Sequence, residues 1–244
     1  MWDIESLSVF IPLHRGSNLQ PYQLSIMAFN FLQGSLTLLP FLSLRILRSR
    51  FRINRWELDH YSYLLAEKWV EEIGLHYSYY ISHVHPPSLR AFPLSAIPTE
   101  YTLTNKRFSG DVSSVIGEVL YLAYIEKVLG LRATDTIHLR PYKGITRDPS
   151  IMSMADFYTI TSEDVRIGTL EVSANSIILG EAKALTNPNR GIIEERLEKA
   201  YRQIENTSRV LSRYGFSPLL AILSLAMRDF RNMTYKLFAT LLEV

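Results

Sequence analysis

The chain has 244 residues, 47% of them hydrophobic and 20% charged, with a formal net charge of +2. This composition supports a full buried core, in one large domain or two small ones, and excludes a disordered chain. There is no cysteine, which excludes disulfides, thiolate zinc sites and cysteine nucleophiles and makes the cytoplasm the expected compartment.

In chain order, the first hundred residues read as mainly helical. Nothing between Arg15 and Arg45 is charged, and Leu24 to Leu44 is long enough to cross about 30 Å of hydrocarbon. Asn30, Gln33, Gly34, Ser35, Thr37 and Pro40 interrupt that stretch. A pair of buried helices broken near Gly34 and Pro40 is therefore expected, and a membrane is not an expected partner. Five arginines follow closely: Arg45, Arg48, Arg50, Arg52 and Arg55. Guanidinium groups bind phosphate bidentately, so the cluster reads as a nucleic-acid backbone contact, as a solvated helix or strand face, or as an anionic-membrane contact. Leu58, Tyr61, Leu65, Trp69 and Ile73 then recur at helical spacing, with Asp59 near the start and Gly74 as a stop. His83 and His85 lack a third ligand of matching spacing and read as structural or surface residues. Pro86, Pro87, Pro93 and Pro98 break regular structure. They divide a mainly helical region, 1–105, expected to bind substrate or oligomerise, from a second region, 106–244.

The second region alternates helices and strands. A helix is expected from Ser113 to Leu129, with Gly130 as its stop. Strands are expected at Asp135 to Leu139, Ala155 to Thr161, Val165 to Val172 and Ser176 to Leu185. Arg190 to Ser212 reads as a long amphipathic helix, with Ile193, Leu197, Ala200, Ile204 and Leu211 on one face. Pro218 to Ala226 is a continuous apolar run of the kind found in a doubly covered strand. Met233, Leu237, Leu241 and Val244 fit an amphipathic closing helix.

The chemistry concentrates on four residues. Glu181 and Lys183 lie two apart on an expected strand, so both project from the same face while Ala182 faces the other way. A carboxylate and an ammonium at the end of a buried strand are costly unless paired or bound. Asp156 opens an earlier strand, and Glu118 interrupts the stripe of Val115, Leu122, Ile125 and Leu129 on the first helix of this region. Asp156 and Glu181 offer hard oxygen ligands for Mg²⁺ or Mn²⁺, with the Ala182 carbonyl as a further donor. An inert ion pair is the competing account, but buried ion pairs seldom stabilise a fold more than apolar replacements do. Glu171 replaces Asp156 as ligand if Val165 to Val172 is the second core strand. No phosphate-binding Gly-x-x-x-x-Gly-Lys loop, dinucleotide glycine fingerprint or Gly-x-Ser-x-Gly elbow occurs, which disfavours ATP use and serine hydrolase chemistry.

The order of helix acid, strand acid, strand Glu-x-Lys and long helix resembles the PD-(D/E)xK nuclease superfamily over Ser109 to Ala226. The resemblance implies an α/β fold: a restriction-endonuclease-like core of a helix, a mixed central sheet and flanking helices over 106–244, preceded by the mainly helical region. It implies that Glu118 is the acid of the first core helix and a second-shell or second-metal ligand, that Asp156 is the motif aspartate, and that Glu181 with Lys183 forms the (D/E)xK element. Ala155 replaces the proline of the family name. Members similar to the RecB-type branch carry a glutamine on the next helix, a role that would fall to Gln203; their tyrosine one turn on is here Thr207. The implied activity is metal-dependent hydrolysis of phosphodiester bonds, in DNA rather than RNA, with Lys183 assisting the attacking water. Restriction enzymes and junction resolvases of this kind often act as dimers, so a homodimer is an expected assembly. The alternative is a catalytically inactive nucleic-acid-binding or assembly protein on the same fold.

Overall fold

Ten residues at the beginning of the chain, WDIESLSVFI, alternate between two apolar surfaces and form β1 (Trp2–Ile11). The computed structural model describes residues 2–11, 21–35, 45–74, 106–139, 154–168 and 170–243. After β1 come α1 (Pro21–Leu32), β2 (Arg45–Ile53), α2 (Arg55–Gly74), α3 (Lys106–Lys127) and β3 (Thr136–His138). Then follow β4 (Phe157–Ile160), β5 (Val165–Ile167), β6 (Leu170–Val172), β7 (Ile177–Leu185), α4 (Arg190–Arg213), β8 (Leu220–Asp229) and β9 (Thr234–Glu243). The result is an α/β fold with one large mixed sheet, in the order β2-β1-β9-β8-β7-β4-β3.

Two pairings in this sheet are parallel, β7 with β8 and β1 with β9; the others are antiparallel. Successive strand residues point to opposite faces, so each face gathers its own helices. Ile4, Ile178, Ala182, Ile222 and Leu237 pack under α2 and α3, through Leu58, Tyr61, Leu65 and the α3 stretch around Val119 to Ile125. Leu7, Val9, Leu179, Leu223 and Phe238 pack under α1 and α4, through Leu24, Phe31, Ile193, Leu197 and Ile204. At the start of α2, the Asn54 side chain accepts from Glu57 N–H and the Glu57 carboxylate accepts from Asn54 N–H, a reciprocal capping box. Lys127 Nζ donates to the same carboxylate at 2.6 Å and ties α2 to the end of α3.

The N-terminal region, expected to be mainly helical, contributes strands as well as helices. Its described residues form α1 and α2, and β1 and β2 extend the same sheet as the rest of the chain. The segment expected to close the fold as a helix is β9 instead. Leu237 and Leu241 satisfy a helical period by coincidence, because a strand buried on both faces has no polar side to betray its period of two. Val165 to Val172, expected as one extra strand, is a separate two-stranded hairpin turning at Gly168, whose φ of 63° favours glycine. Glu171 sits there, exposed and opposite Arg166. No helix among the described residues is long and apolar enough to cross a membrane. Pro40, His83, His85 and the proline-rich boundary lie outside the described residues.

Tyr61, Tyr121 and Tyr124 are buried in the core, and Tyr201 packs against it partly buried. Burial pushes the Tyr121, Tyr124 and Tyr201 phenols up from their ordinary value, and burial together with the Glu126 carboxylate does the same for Tyr61. Folding thus favours the neutral phenol. That stabilisation is complete below the ordinary phenol value near 10 and is lost as pH rises above it, because the unfolded chain ionises first. Alkaline titration should show the tyrosinate absorbance of these buried phenols appearing together with loss of far-ultraviolet circular dichroism. Full tyrosine ionisation with the fold intact would contradict this.

Candidate active site

The backbone ladder between β4 and β7 runs from Ile160 opposite Ile177 to Phe157 opposite Gly180. Beyond it, side chains take over from carbonyls. Asp156 N–H donates to Glu181 Oε2 at 2.9 Å, and Ala182 N–H donates to Asp156 Oδ2 at 3.3 Å. Each carboxylate thus bonds the backbone of the opposite strand, which satisfies buried amides and fixes the two acids relative to each other. Glu181 is fully buried and Asp156 nearly so. Lys183 bridges them: its ammonium contacts Glu181 Oε1 and lies 3.5 Å from Asp156 Oδ2. Its side chain is 16% exposed, so the trio has an opening to solvent.

Helix α4 holds this corner from one side. Its N-cap Asn189 accepts from Ile192 N–H at 3.0 Å, and its apolar face packs on the sheet. Gln203 Nε2 donates to Met154 O at 2.9 Å, and Thr207 Oγ1 accepts from Ala155 N–H at 2.6 Å. Gln203 is accordingly buried rather than a solvated flank. On the opposite sheet face α3 comes very close to β7: a Cβ added at Gly117 would lie 3.1 Å from the Lys183 carbonyl carbon.

The structure brings Asp156, Glu181, Lys183, Ala182 and, through the backbone, Gln203 together. Glu118 takes a different partner, with its Oε2 3.1 Å from His138 Nε2 in a fully buried pair. His138 packs edge-on against Phe157, which stacks on Tyr121. Sequence reasoning placed a strand over His138 but missed its role; a histidine alternating with apolar neighbours beside an apolar-stripe glutamate was the available signal. Thr207 was noted as a departure from a tyrosine, and nothing in its spacing announced the bond to Ala155.

Among the described residues, no three aspartates, glutamates or histidines converge closely enough to cage an ion. Of the three expected acids, Asp156 and Glu181 stand together, and Glu118 pairs with His138. That pair fits Mg²⁺ or Mn²⁺ by donor chemistry, since Mg²⁺ is commonly held by one or two carboxylates and completes its shell with water and substrate oxygens. With all three side chains ionised, the trio carries a formal charge of −1, which a cation would offset.

Arg45, Arg48, Arg50 and Arg52 are exposed on β2, and Arg55 is exposed at the start of α2. On β2, Arg48 lies 3.0 Å from Glu5 and Arg50 3.7 Å from Asp3 across the β1 pairing. The cluster stands four strands from β7, roughly 19 Å at the usual inter-strand spacing. Arg48 nevertheless shares a cross-sheet row with Lys183, running through Leu7, Phe238 and Leu225.

No family model, curated protein or solved structure matches the chain.

Proposed function

We propose that the chain is a metal-dependent nuclease that hydrolyses phosphodiester bonds in DNA. The observation that carries the reading is the convergence of Asp156, Glu181 and Lys183 where the β4–β7 ladder stops. The connectivity supports it: α3, β3, β4, β7, α4 and β8 follow the helix, three strands, helix, strand order of a restriction-endonuclease-like core, with β9, β1 and β2 extending the sheet.

Asp156 and Glu181, with the Ala182 carbonyl, would hold Mg²⁺ or Mn²⁺. When bound, such an ion supplies Lewis acidity toward the phosphodiester and its attacking water. Lys183 orients that water and offsets charge developing on the phosphoryl oxygens. Glu118 and His138 act from the far sheet face by fixing α3 against β3. Arg52 and Arg55 bind backbone phosphate, while Arg48 and Arg50 do so by exchanging Glu5 and Asp3 for phosphate oxygens.

The test is cleavage of linear, circular, single-stranded and branched DNA with Mg²⁺ or Mn²⁺, beside folded Lys183→Ala and Asp156→Ala variants. Wild type should cut, and both variants should lose about two orders of magnitude or more. Equal cleavage by all three would mean a contaminant. DNA binding without cleavage by the wild type would favour the inactive binding protein.

A further inference from the structure

We propose that Thr207 is a positioning residue of this site, forming with Gln203 a latch that sets where the Asp156 carboxylate sits. The effect expected on catalysis rests on the nuclease reading; the latch itself does not.

The two α4 side chains grip opposite ends of one peptide group. Gln203 Nε2 donates to Met154 O at 2.9 Å, and Thr207 Oγ1 accepts from Ala155 N–H at 2.6 Å. Carbonyl and amide belong to the same plane, so holding both removes its freedom to rotate. The next amide is Asp156 N–H, which donates to Glu181 Oε2 at 2.9 Å. A turn of the gripped peptide would therefore swing the Asp156 main chain and break the bond that pairs the two acids.

The latch is rigid on the helix side as well. Thr207 Oγ1 donates to Gln203 O at 2.7 Å, so its hydrogen and an acceptor lone pair are both engaged. The residues are four apart, on one face of α4. Thr207 is fully buried and Gln203 is 7% exposed. A threonine bonding back along its helix is mildly unfavourable there, and valine would pack as well. The hydroxyl is explained by the Ala155 amide it receives. Gln203 Oε1 is also buried with no hydrogen-bond partner among the described residues, which leaves it open to a water or a substrate donor.

The experiment compares wild type, Thr207→Val and Thr207→Ser, well below their melting temperatures. Two readouts are taken: kcat and KM on cleaved DNA, and hydrogen exchange of the Ala155 and Asp156 amides in metal-free protein. Valine keeps the shape and removes the acceptor. It should lower kcat about tenfold or more with KM unchanged, and speed exchange at both amides by on the order of tenfold. Serine should restore both. A purely packing role would lower the melting temperature of the valine variant while leaving kcat and exchange at wild-type values, and that result overturns the proposal. So does faster exchange with unchanged kcat, or lower kcat with unchanged exchange. If the wild type cuts nothing, the nuclease reading fails by itself, and exchange at Asp156 alone decides the latch.

Discussion

Replacing Gly180 by alanine should cost the fold roughly 3 kcal/mol, at the upper end of what overpacking a core costs. A Cβ built on Gly180 would contact the Tyr121 hydroxyl, lie 2.5 Å from its Cζ and sit 2.9 Å from Phe157 Cβ. These neighbours have little room to yield. The Tyr121 ring stacks on Phe157 at 4.7 Å with only 7° between planes, and both residues are fully buried. Rotating Tyr121 would uncouple α3 from β4 and β7 together, and shifting Phe157 would disturb the residue that follows Asp156. Chemical denaturation measures the loss. Combining the change with Tyr121→Leu should lose at least about 1 kcal/mol less than the two single losses summed, because the second change removes what the first collides with. A Gly180→Ala protein within about 0.5 kcal/mol of wild type would show that the helix retreats freely.

Removing the charge of Lys183 should be nearly as damaging to the metal-free protein. Lys183→Met leaves the Asp156 and Glu181 carboxylates facing each other in a buried corner without the ammonium between them. Breaking a buried charge arrangement by deleting one partner costs about 3–5 kcal/mol, because the remaining charge stays desolvated. The 16% exposure of the lysine side chain puts the expectation at the lower end, about 3 kcal/mol. Two further measurements identify the cause. Adding Asp156→Asn to Lys183→Met should recover part of the loss, since one of the opposed charges is gone. Excess Mg²⁺ or Mn²⁺ should raise the melting temperature of Lys183→Met more than that of the wild type, because the cation takes over the neutralising role. A Lys183→Met protein as stable as wild type without metal would mean that the lysine does not neutralise the pair.

Much of the region from α3 to β8 was legible, and the reason is local. Glu181 and Lys183 share a strand face by a period that nothing else in the fold can change, and the long stripe from Ile193 to Leu211 survives as α4. Pairing was much less legible. β1 carries a strand pattern, yet its neighbours β2 and β9 are set by contacts distant in sequence. β9 is covered on both faces, which erases the contrast that separates strand from helix. The destination of Glu118 was illegible for the same reason: an acid on an apolar helix face states a need for a partner without saying which strand provides it, and His138 does. The arginines could be read by chemistry as a phosphate contact or as a solvated face, but Asp3 and Glu5 are cross-strand neighbours of Arg48 and Arg50 only once β1 and β2 pair.

The parallel contact between β1 and β9 has a consequence for how the molecule comes together. The Thr234 hydroxyl donates to Asp3 O across a separation of 231 positions, and seven consecutive residue pairs continue along the two strands. The sheet therefore has β1 and β9, the first and last of its strands in chain order, next to each other as the second and third strands from the β2 edge. Until β9 emerges from the ribosome, β1 and β2 form a two-stranded antiparallel ribbon that packs against α1 and α2 but keeps an unsatisfied inner edge. β8 meanwhile has β7 on one side and nothing on the other. Closing that gap joins the half bearing the arginines to the half bearing the carboxylates in one step, and such long-range closure is slow. In the time before it, two open strand edges of one chain are available to other chains, so assembly is the stage at which this protein is most exposed to aggregation.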